Sequence, residues 1–523
     1  MMKGGTKMNG NKFAMMLDDK FKITERNSSI KREVSAGIGT FLIAVCTILV
    51  NTNLINSYYG NVAGAYLAMT IVCIVGTFLY GFLANMPLIN STSVIMTSLV
   101  LTFLSANDGL SYANMMFITF ISAVLYLIVL VTPIKKFFLD SIPGNVMKAM
   151  PIGIALYVLV YSVQKCGLVT SGFELSKISG LDTLDVLYFF IMICALVVFG
   201  IYVAIKRTNP LSSTYYMMIA AMWALGIIFY MEYFVGGQTA TTLVYERVNL
   251  VVATDGANPY NIVLGISSLN VLSFLKDGMD FSAYTQAGGN IIKLMISSVV
   301  TFVLMSLYLN EGCTDMAMIV ADSDDCDKKV KTKIGIISAI TNIAAPIFGA
   351  TPSNVSAESV VMNEDGARTG LSSVVAGMGF VISAFSFVFY AITATSTNGV
   401  GMWINDSETK LLAYVQDGFA FAALIMVIAS AIVLKGVKKV NFADKTENLI
   451  VFATAMTICF TSNVIYGVCL GCVLSLVTKA LSGKHKEISI MNIILTVVLI
   501  IYSVCMINSE YGFVTAVSNM MPM

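Results

Sequence analysis

Apolar residues in this chain gather into blocks of roughly 20, one after another, separated by short polar stretches. A helix of that length spans the hydrocarbon core of a bilayer, so each block predicts one crossing. The blocks lie at 36–55, 63–85, 88–105, 114–134, 147–165, 184–205 and 212–235. A long polar stretch, 236–289, follows and contains VYERVNLVVATDGANPYN. Blocks then resume at 290–321, 332–348, 354–363, 370–395, 410–434, 449–461, 464–481 and 489–507.

Two blocks are interrupted. FLANMPLINSTSVIM (82–96) and AAPIFGATPSNVSAES (344–359) each place a hydroxyl-rich piece after a proline, where a full span is due. Each lies in the third span of its group. Seven spans precede the polar stretch and seven follow it, leaving 489–507 as an odd tail. Because seven is odd, the second group starts from the opposite side, which is the signature of an inverted repeat. Non-helical backbone at membrane depth is tolerated only where protein or a water-filled cavity surrounds it. The two breaks are therefore expected to meet near the midplane. The helices they open would aim N–H groups and positive dipole ends at a bound solute.

Basic residues set the orientation. With the N-terminus cytoplasmic, 25 of the 31 lysines and arginines fall on the inner side. That alternation holds only if 88–105 and 354–363 each cross or half-cross. The last block, 489–507, breaks the even count and leaves the side of the C-terminus open.

Composition narrows the class. The chain is 57% hydrophobic and 12% charged, about half the charge of a soluble domain, which excludes a large soluble protein. A net charge of +1 implies no nucleic-acid partner. Cys469 and Cys472 form a C-x-x-C inside an apolar run, where small residues at a helix contact are the expected reading rather than a metal or redox site. The chain has no H-E-x-x-H, G-x-S-x-G or P-loop, so nothing points to an enzyme, a cofactor or a metal. The first 35 residues are too polar for a signal peptide.

A carboxylate inside the bilayer is costly and marks a functional site by default. Glu358 follows the second break. Glu311 and Asp315, four apart in LYLNEGCTDMAMIVA, share one face of the eighth span, and Asn310 with Thr314 forms a neighbouring polar pair. Together these groups could hydrogen-bond a flat polar solute, and buried carboxylates can exchange a proton near neutral pH. Glu311 and Asp315 also fit a satisfied polar patch near the helix end. The single histidine, His485, sits in the loop SGKHKEIS and cannot relay protons inside the membrane. Gly349 to Ser356 would be the unwound crossing. Ser353 and Asn354 would cap the half-helix, and Glu358 would face the solute. Ser93 and Thr97 are the hydroxyls offered by the first break.

Two stretches carry a resemblance. FKITERNSSIKREVSAGIGTFLIAVCTILVN resembles the opening of the AzgA-like purine nucleobase permeases, in the nucleobase–cation symporter 2 superfamily. ESVVMNEDGARTGLSSV (358–374) resembles their E-S-A-A-G…E-G-G-R-T-G-L segment, with Glu358, Ser359, Gly366, Arg368, Thr369, Gly370 and Leu371 aligned without gaps. SIPGNVMKAMPIGIALYV and LVTKALSGKHKEIS extend the likeness over nearly the whole chain.

The resemblance implies an all-α polytopic membrane protein of about 14 spans in two inverted 7-span repeats, with half-helices in spans 3 and 10. A cytoplasmic segment, 1–35, precedes the first repeat. Core segments would be 36–134 and 290–396, and gate segments 147–235 and 410–482. An extracytoplasmic loop (236–289) and a hydrophobic C-terminal segment (489–523) complete the chain. The implied function is proton-coupled import of hypoxanthine, guanine or adenine across the cell membrane. Carboxylates of spans 8 and 10 would contact the base and carry the proton. Carried over, Glu358 is the span 10 acid. The family's span 3 reads A-P-G-M-G-L-N where this chain has STSVIMT. Its span 8 acid falls on Asn310, or on Glu311 after a one-residue slip, and Glu311 is taken as the working acid. The alternative is the same fold carrying another nucleobase, a urate-like compound or an anion, although Glu311 and Glu358 argue against an anion. A homodimer is compatible with the architecture, and nothing in the spacing requires one.

Overall fold

The computed structural model describes residues 12–59, 62–165, 269–321, 328–385, 443–483 and 488–507. The blocks at 184–205, 212–235 and 410–434, most of the polar stretch, and His485 lie outside the described residues.

The apolar blocks form helices because a chain in hydrocarbon must satisfy its own backbone. In order these are α1 (Lys12–Phe21), α2 (Ile30–Tyr59), α3 (Val62–Leu79), α4 (Val94–Ser105), α5 (Tyr112–Val131), α6 (Ile134–Asp140) and α7 (Gly144–Lys165). Two short helices, α8 (Ser273–Lys276) and α9 (Ser282–Gln286), lead to α10 (Ile291–Ala321) and α11 (Lys328–Phe348). Then come α12 (Ser359–Glu364), α13 (Gly370–Phe385), α14 (Lys445–Thr461), α15 (Val464–Leu481) and α16 (Ile490–Ile507). Among the described residues, five helical stretches are long and apolar enough to cross a membrane. They are Gly64–Ala84, Tyr112–Val131, Gly144–Tyr161, Ile291–Met318 and Val464–Leu481. The protein is a mostly helical polytopic membrane protein.

Both breaks appear as extended backbone. A π-helical turn, Tyr80–Ala84, ends α3, and Asn85 turns the chain with φ 49°. β1 (Asn90–Thr92) follows and then α4. In the second half α11 ends at Phe348, Gly349 takes φ +77°, β2 (Ser353–Val355) follows and then α12. The strands pair antiparallel, Asn90 with Val355, Ser91 with Asn354 and Thr92 with Ser353.

This ladder cannot satisfy every polar group of the two breaks, and side chains supply the rest. Ile89 N donates to Ser359 Oγ at 2.9 Å and Leu88 N to Ser373 Oγ at 2.9 Å. Ser353 N donates to Asn342 Oδ1 at 2.6 Å, and Asn51 Nδ2 reaches the Thr92 carbonyl at 2.7 Å. Much of the hydroxyl and amide content around the breaks therefore serves the backbone.

The element order of α2, α3, β1, α4, α5 recurs as α10, α11, β2, α12, α13. The packing is exchanged accordingly. α2 and α3 pack on α13, while their counterparts α10 and α11 pack on α5. α7 packs mainly on α14 and also on α15 and α10, and Lys148 pairs with Glu447 across the α7–α14 seam at 2.8 Å.

The N-terminal lead is tied to both halves. Arg26 Nη1 donates to the carbonyls of Asn85 at 2.6 Å and Arg368 at 3.0 Å. Buried Glu33 accepts from the N–H of Arg368 at 2.8 Å, and Asn85 Oδ1 accepts from Gly370 N at 2.9 Å. These bonds account for the conspicuous R-T-G stretch at 368–370 as a structural joint between the α3 end and the start of α13.

Candidate functional site

Where the two strands meet, a small cleft of about 30 Å³ opens against α2, α4, α7 and α10. The first break contributes Ser91, Thr92, Ser93, Val94 and Ile95, and the second Asn354, Ser356, Ala357 and Glu358. Thr47 comes from α2, Leu309 and Cys313 from α10, and Ile154 and Val158 from α7. One wall is thus polar, built on the paired breaks, and the facing wall from α7 is apolar.

Among the described residues, Glu358 is the one carboxylate that lines this cleft, and it is 7% exposed. Its Oε1 accepts from Thr47 Oγ1 and its Oε2 from Ser356 Oγ, so both oxygens are held by hydroxyls. Asn354 is buried beside it; its Nδ2 donates to the Val355 carbonyl at 2.6 Å and contacts Cys313 Sγ at 3.7 Å. Ser93 lines the cleft at the start of α4 without a side-chain cap bond.

The structure does not bring the other candidates to the cleft. Ser353 is turned toward α11, where its Oγ donates to Thr341 Oγ1 at 3.2 Å. Thr97 pairs with Thr351 at 2.9 Å. Thr314 returns its hydroxyl to the Asn310 carbonyl at 2.7 Å, and Asn310 Oδ1 reaches Val355 N at 3.5 Å, bracing β2. The capping expectation needs correction as well. Ser353 and Asn354 lie in a strand, and the residue at the cap of α12 is Glu358, whose side chain makes no cap bond.

Glu311 and Asp315 face away for a reason of helix geometry. Leu309 and Cys313, four apart, line the cleft, so Glu311 lies about 200° round the helix. It meets Lys331 of α11 instead, with Nζ 3.2 Å from Glu311 Oε1 and in contact with Asp315 Oδ1. Lys331 precedes the 332–348 block. Burial pulls its pKa down, but Asp315 and Glu311 outweigh that and leave it above the ordinary lysine value. Lys135, beyond the end of α5, is lowered chiefly by burial, with Lys331 adding to the effect. Among the described residues no group of three or more His, Cys, Asp or Glu side chains is placed to hold a metal ion.

Sequence reasoning missed Thr47, Ser356 and Cys313. Ser356 is in the hydroxyl-rich break itself, and Thr47 is one of five polar residues in its span, with nothing in the spacing to single it out. Cys313 gives no signal beyond its four-residue step from Leu309.

Two paired breaks thus surround a buried, carboxylate-bearing cleft in a polytopic membrane protein. Comparison with known proteins agrees in class. The chain is 22% identical over 490 residues to "Guanine/hypoxanthine permease GhxP" of Escherichia coli O157:H7, covering 93% of this chain and 96% of that protein. It is 24% identical over 473 residues to "Guanine/hypoxanthine permease PbuO" of Bacillus subtilis, covering 90% and 96%. The resemblance to purine nucleobase permeases is thereby borne out, and these relatives are permeases, not enzymes. No protein-family model matches the chain. Among solved structures, the transmembrane domain of the cyanobacterial bicarbonate transporter BicA is similar with a TM-score of 0.48 at 14% identity, covering 84% of this chain and 96% of that one.

Proposed function

We propose that the chain is a secondary transporter that imports a purine base, hypoxanthine, guanine or adenine, by proton symport. The observation that carries this is Glu358 in the cleft between the paired breaks. A buried carboxylate can accept a hydrogen bond from an N–H of the base and can bind a proton, which couples the two. The names of the relatives GhxP and PbuO support the substrate class. On this reading α2–α5 and α10–α13 form a core that carries the solute. α7, α14 and α15 belong to a gate against which the core moves. The fold is then fourteen spans in two inverted repeats, with the N-terminus in the cytoplasm and the protein in the cell membrane. Glu358, Asn354 and Ser93 hold the base, and the α7 wall at Ile154 and Val158 covers its face.

The test is uptake of radiolabelled hypoxanthine, guanine, adenine, xanthine and uracil by cells lacking their own permeases, with and without a protonophore. Purine uptake that collapses with protonophore and in Glu358→Gln supports both substrate and coupling. If no base enters, from protein shown to be folded in the membrane, the reading fails and the altered 91–97 stretch marks a site for another solute.

A further inference from the structure

α1 has no part in the cleft, yet its pose is fixed and its faces are sorted. Leu17 and Phe21, four apart, pack with Ile23 against Leu371, Val374 and Val375 at the start of α13. The Phe21 ring stands 6.2 Å from that of Phe82, in the last turn of the span Gly64–Ala84. The exit from the helix is locked as well. Lys22 takes φ 58°, and Asp18 accepts from Thr24 with both carboxylate oxygens, from the N–H at 2.7 Å and the hydroxyl at 2.8 Å. Arg26 then bonds the Asn85 and Arg368 carbonyls. α1 is thus held against the end of the bundle where α3 stops and α13 starts.

Beside the packed edge of the helix lie Phe13 and Met16, three apart, 61% and 59% exposed, with exposed Lys20 one turn beyond Met16 on the same side. Their surroundings show what covers them. Phe82 and Leu83 are half-exposed at the end of their span, and Met378 and Ile382 are exposed farther along α13. Exposed apolar side chains on a membrane span meet acyl chains. Phe13 and Met16 carry that apolar surface on past the end of the span. Met15, about 160° round the helix from Phe13, lies on the side of Asp18 instead. The exposed charges of this segment are Lys12, Lys20, Lys22, Lys31 and Arg32 against Asp19 and Glu25. That positive excess suits a layer of lipid phosphates. Water suits the lysines but not Phe13 and Met16, acyl chains suit the reverse, and the boundary between them suits both.

We infer that α1 lies in the bilayer interface, with Phe13 and Met16 among the upper acyl carbons and Lys20 reaching back to the headgroups. The lipid boundary then grips the same joint that Arg26 ties between the two breaks. This holds whatever solute the protein carries.

The experiment uses the full chain in liposomes, with Trp223→Phe and Trp403→Phe and one tryptophan put back, as Phe13→Trp or Met15→Trp. Each is checked for folding by size-exclusion profile. Phosphatidylcholine brominated near the top of its acyl chain is compared with lipid brominated near the chain end and with unbrominated lipid. Phe13→Trp is expected to lose about half its fluorescence to the shallow bromine, at least about twofold more than to the deep one, while Met15→Trp stays within about a tenth of its unbrominated value. An unquenched Phe13→Trp overturns the inference and leaves that edge to water or to another protein. Equal quenching of the two variants also overturns it, because the depth would then follow the tryptophan and not the face of α1. A second arm leaves α1 untouched. The wild-type chain, in phosphatidylcholine vesicles whose lipid carries a diazirine high on the acyl chain, is photolysed and digested. Lipid adducts are expected on the peptide holding Phe13 and Met16 as well as on the one holding Phe82. Adducts at Phe82 with none on α1 overturn the inference, even where a tryptophan variant fails to fold.

Discussion

Replacing Lys331 with methionine tests the α10–α11 cluster directly. The Lys331 side chain is 25% exposed, Glu311 10% and Asp315 20%, so the triad is largely withdrawn from solvent. At 3.2 Å and an effective dielectric near 20, the Lys331–Glu311 attraction alone is roughly 5 kcal/mol, before desolvation is charged against it. Removing the ammonium strands two carboxylates four residues apart on one helix face. Loss of one partner of a buried pair costs about 3–5 kcal/mol, and the partial exposure here argues for the lower end, about 3 kcal/mol. The double variant Glu311→Gln with Lys331→Met leaves only Asp315, the more exposed acid, and is expected to cost about 1 kcal/mol. The assay is unfolding in mixed micelles at increasing SDS fraction, followed by tryptophan fluorescence. The single variant should unfold at a lower SDS fraction than the double. If Lys331→Met is no less stable than the double variant, Lys331 does not hold the two carboxylates as described and the reasoning fails.

Other variants probe other joints. Gly76 lies flat against Asn90, and a Cβ there would run into the Asn90 side chain, so Gly76→Ala should displace β1 and abolish uptake, at about 1–3 kcal/mol of stability; normal uptake would contradict that packing. Arg26→Ala removes the donor to two carbonyls and should cost about 2 kcal/mol, read as a lower melting temperature in detergent, with Arg26→Lys recovering only part. Thr47→Val deletes one of the two hydroxyls on Glu358 and should lower uptake by about tenfold while sparing the melting temperature. Unchanged uptake would remove Thr47 from the site.

What the sequence carries and what it hides divide along physical lines. Two proline-led hydroxyl stretches interrupt otherwise unbroken apolar blocks, and no other physics tolerates that at membrane depth, so their meeting is legible. The three-residue strands are not, because Asn90–Thr92 and Ser353–Val355 are too short to show alternation. Glu358 is legible as a lone acid after a break. The fate of Glu311 and Asp315 is not, because it turns on which face of α10 meets α7 and on Lys331 of the next helix. Ser353 and Thr97 read as solute ligands because hydroxyls at a break look alike. Only the pairing register decides which of them point to the cleft and which brace a neighbouring strand or helix.

The strand ladder also bears on how the chain is made. Asn90–Thr92 leaves the ribosome long before Ser353–Val355, and each strand is the other's partner. Until the second break is inserted, the first has backbone groups at membrane depth with no ladder to join. A nascent chain halted between the two should therefore be a substrate for membrane quality control, however apolar its helices. The cleft is a late product of biogenesis, completed only when the two halves of the chain close on each other.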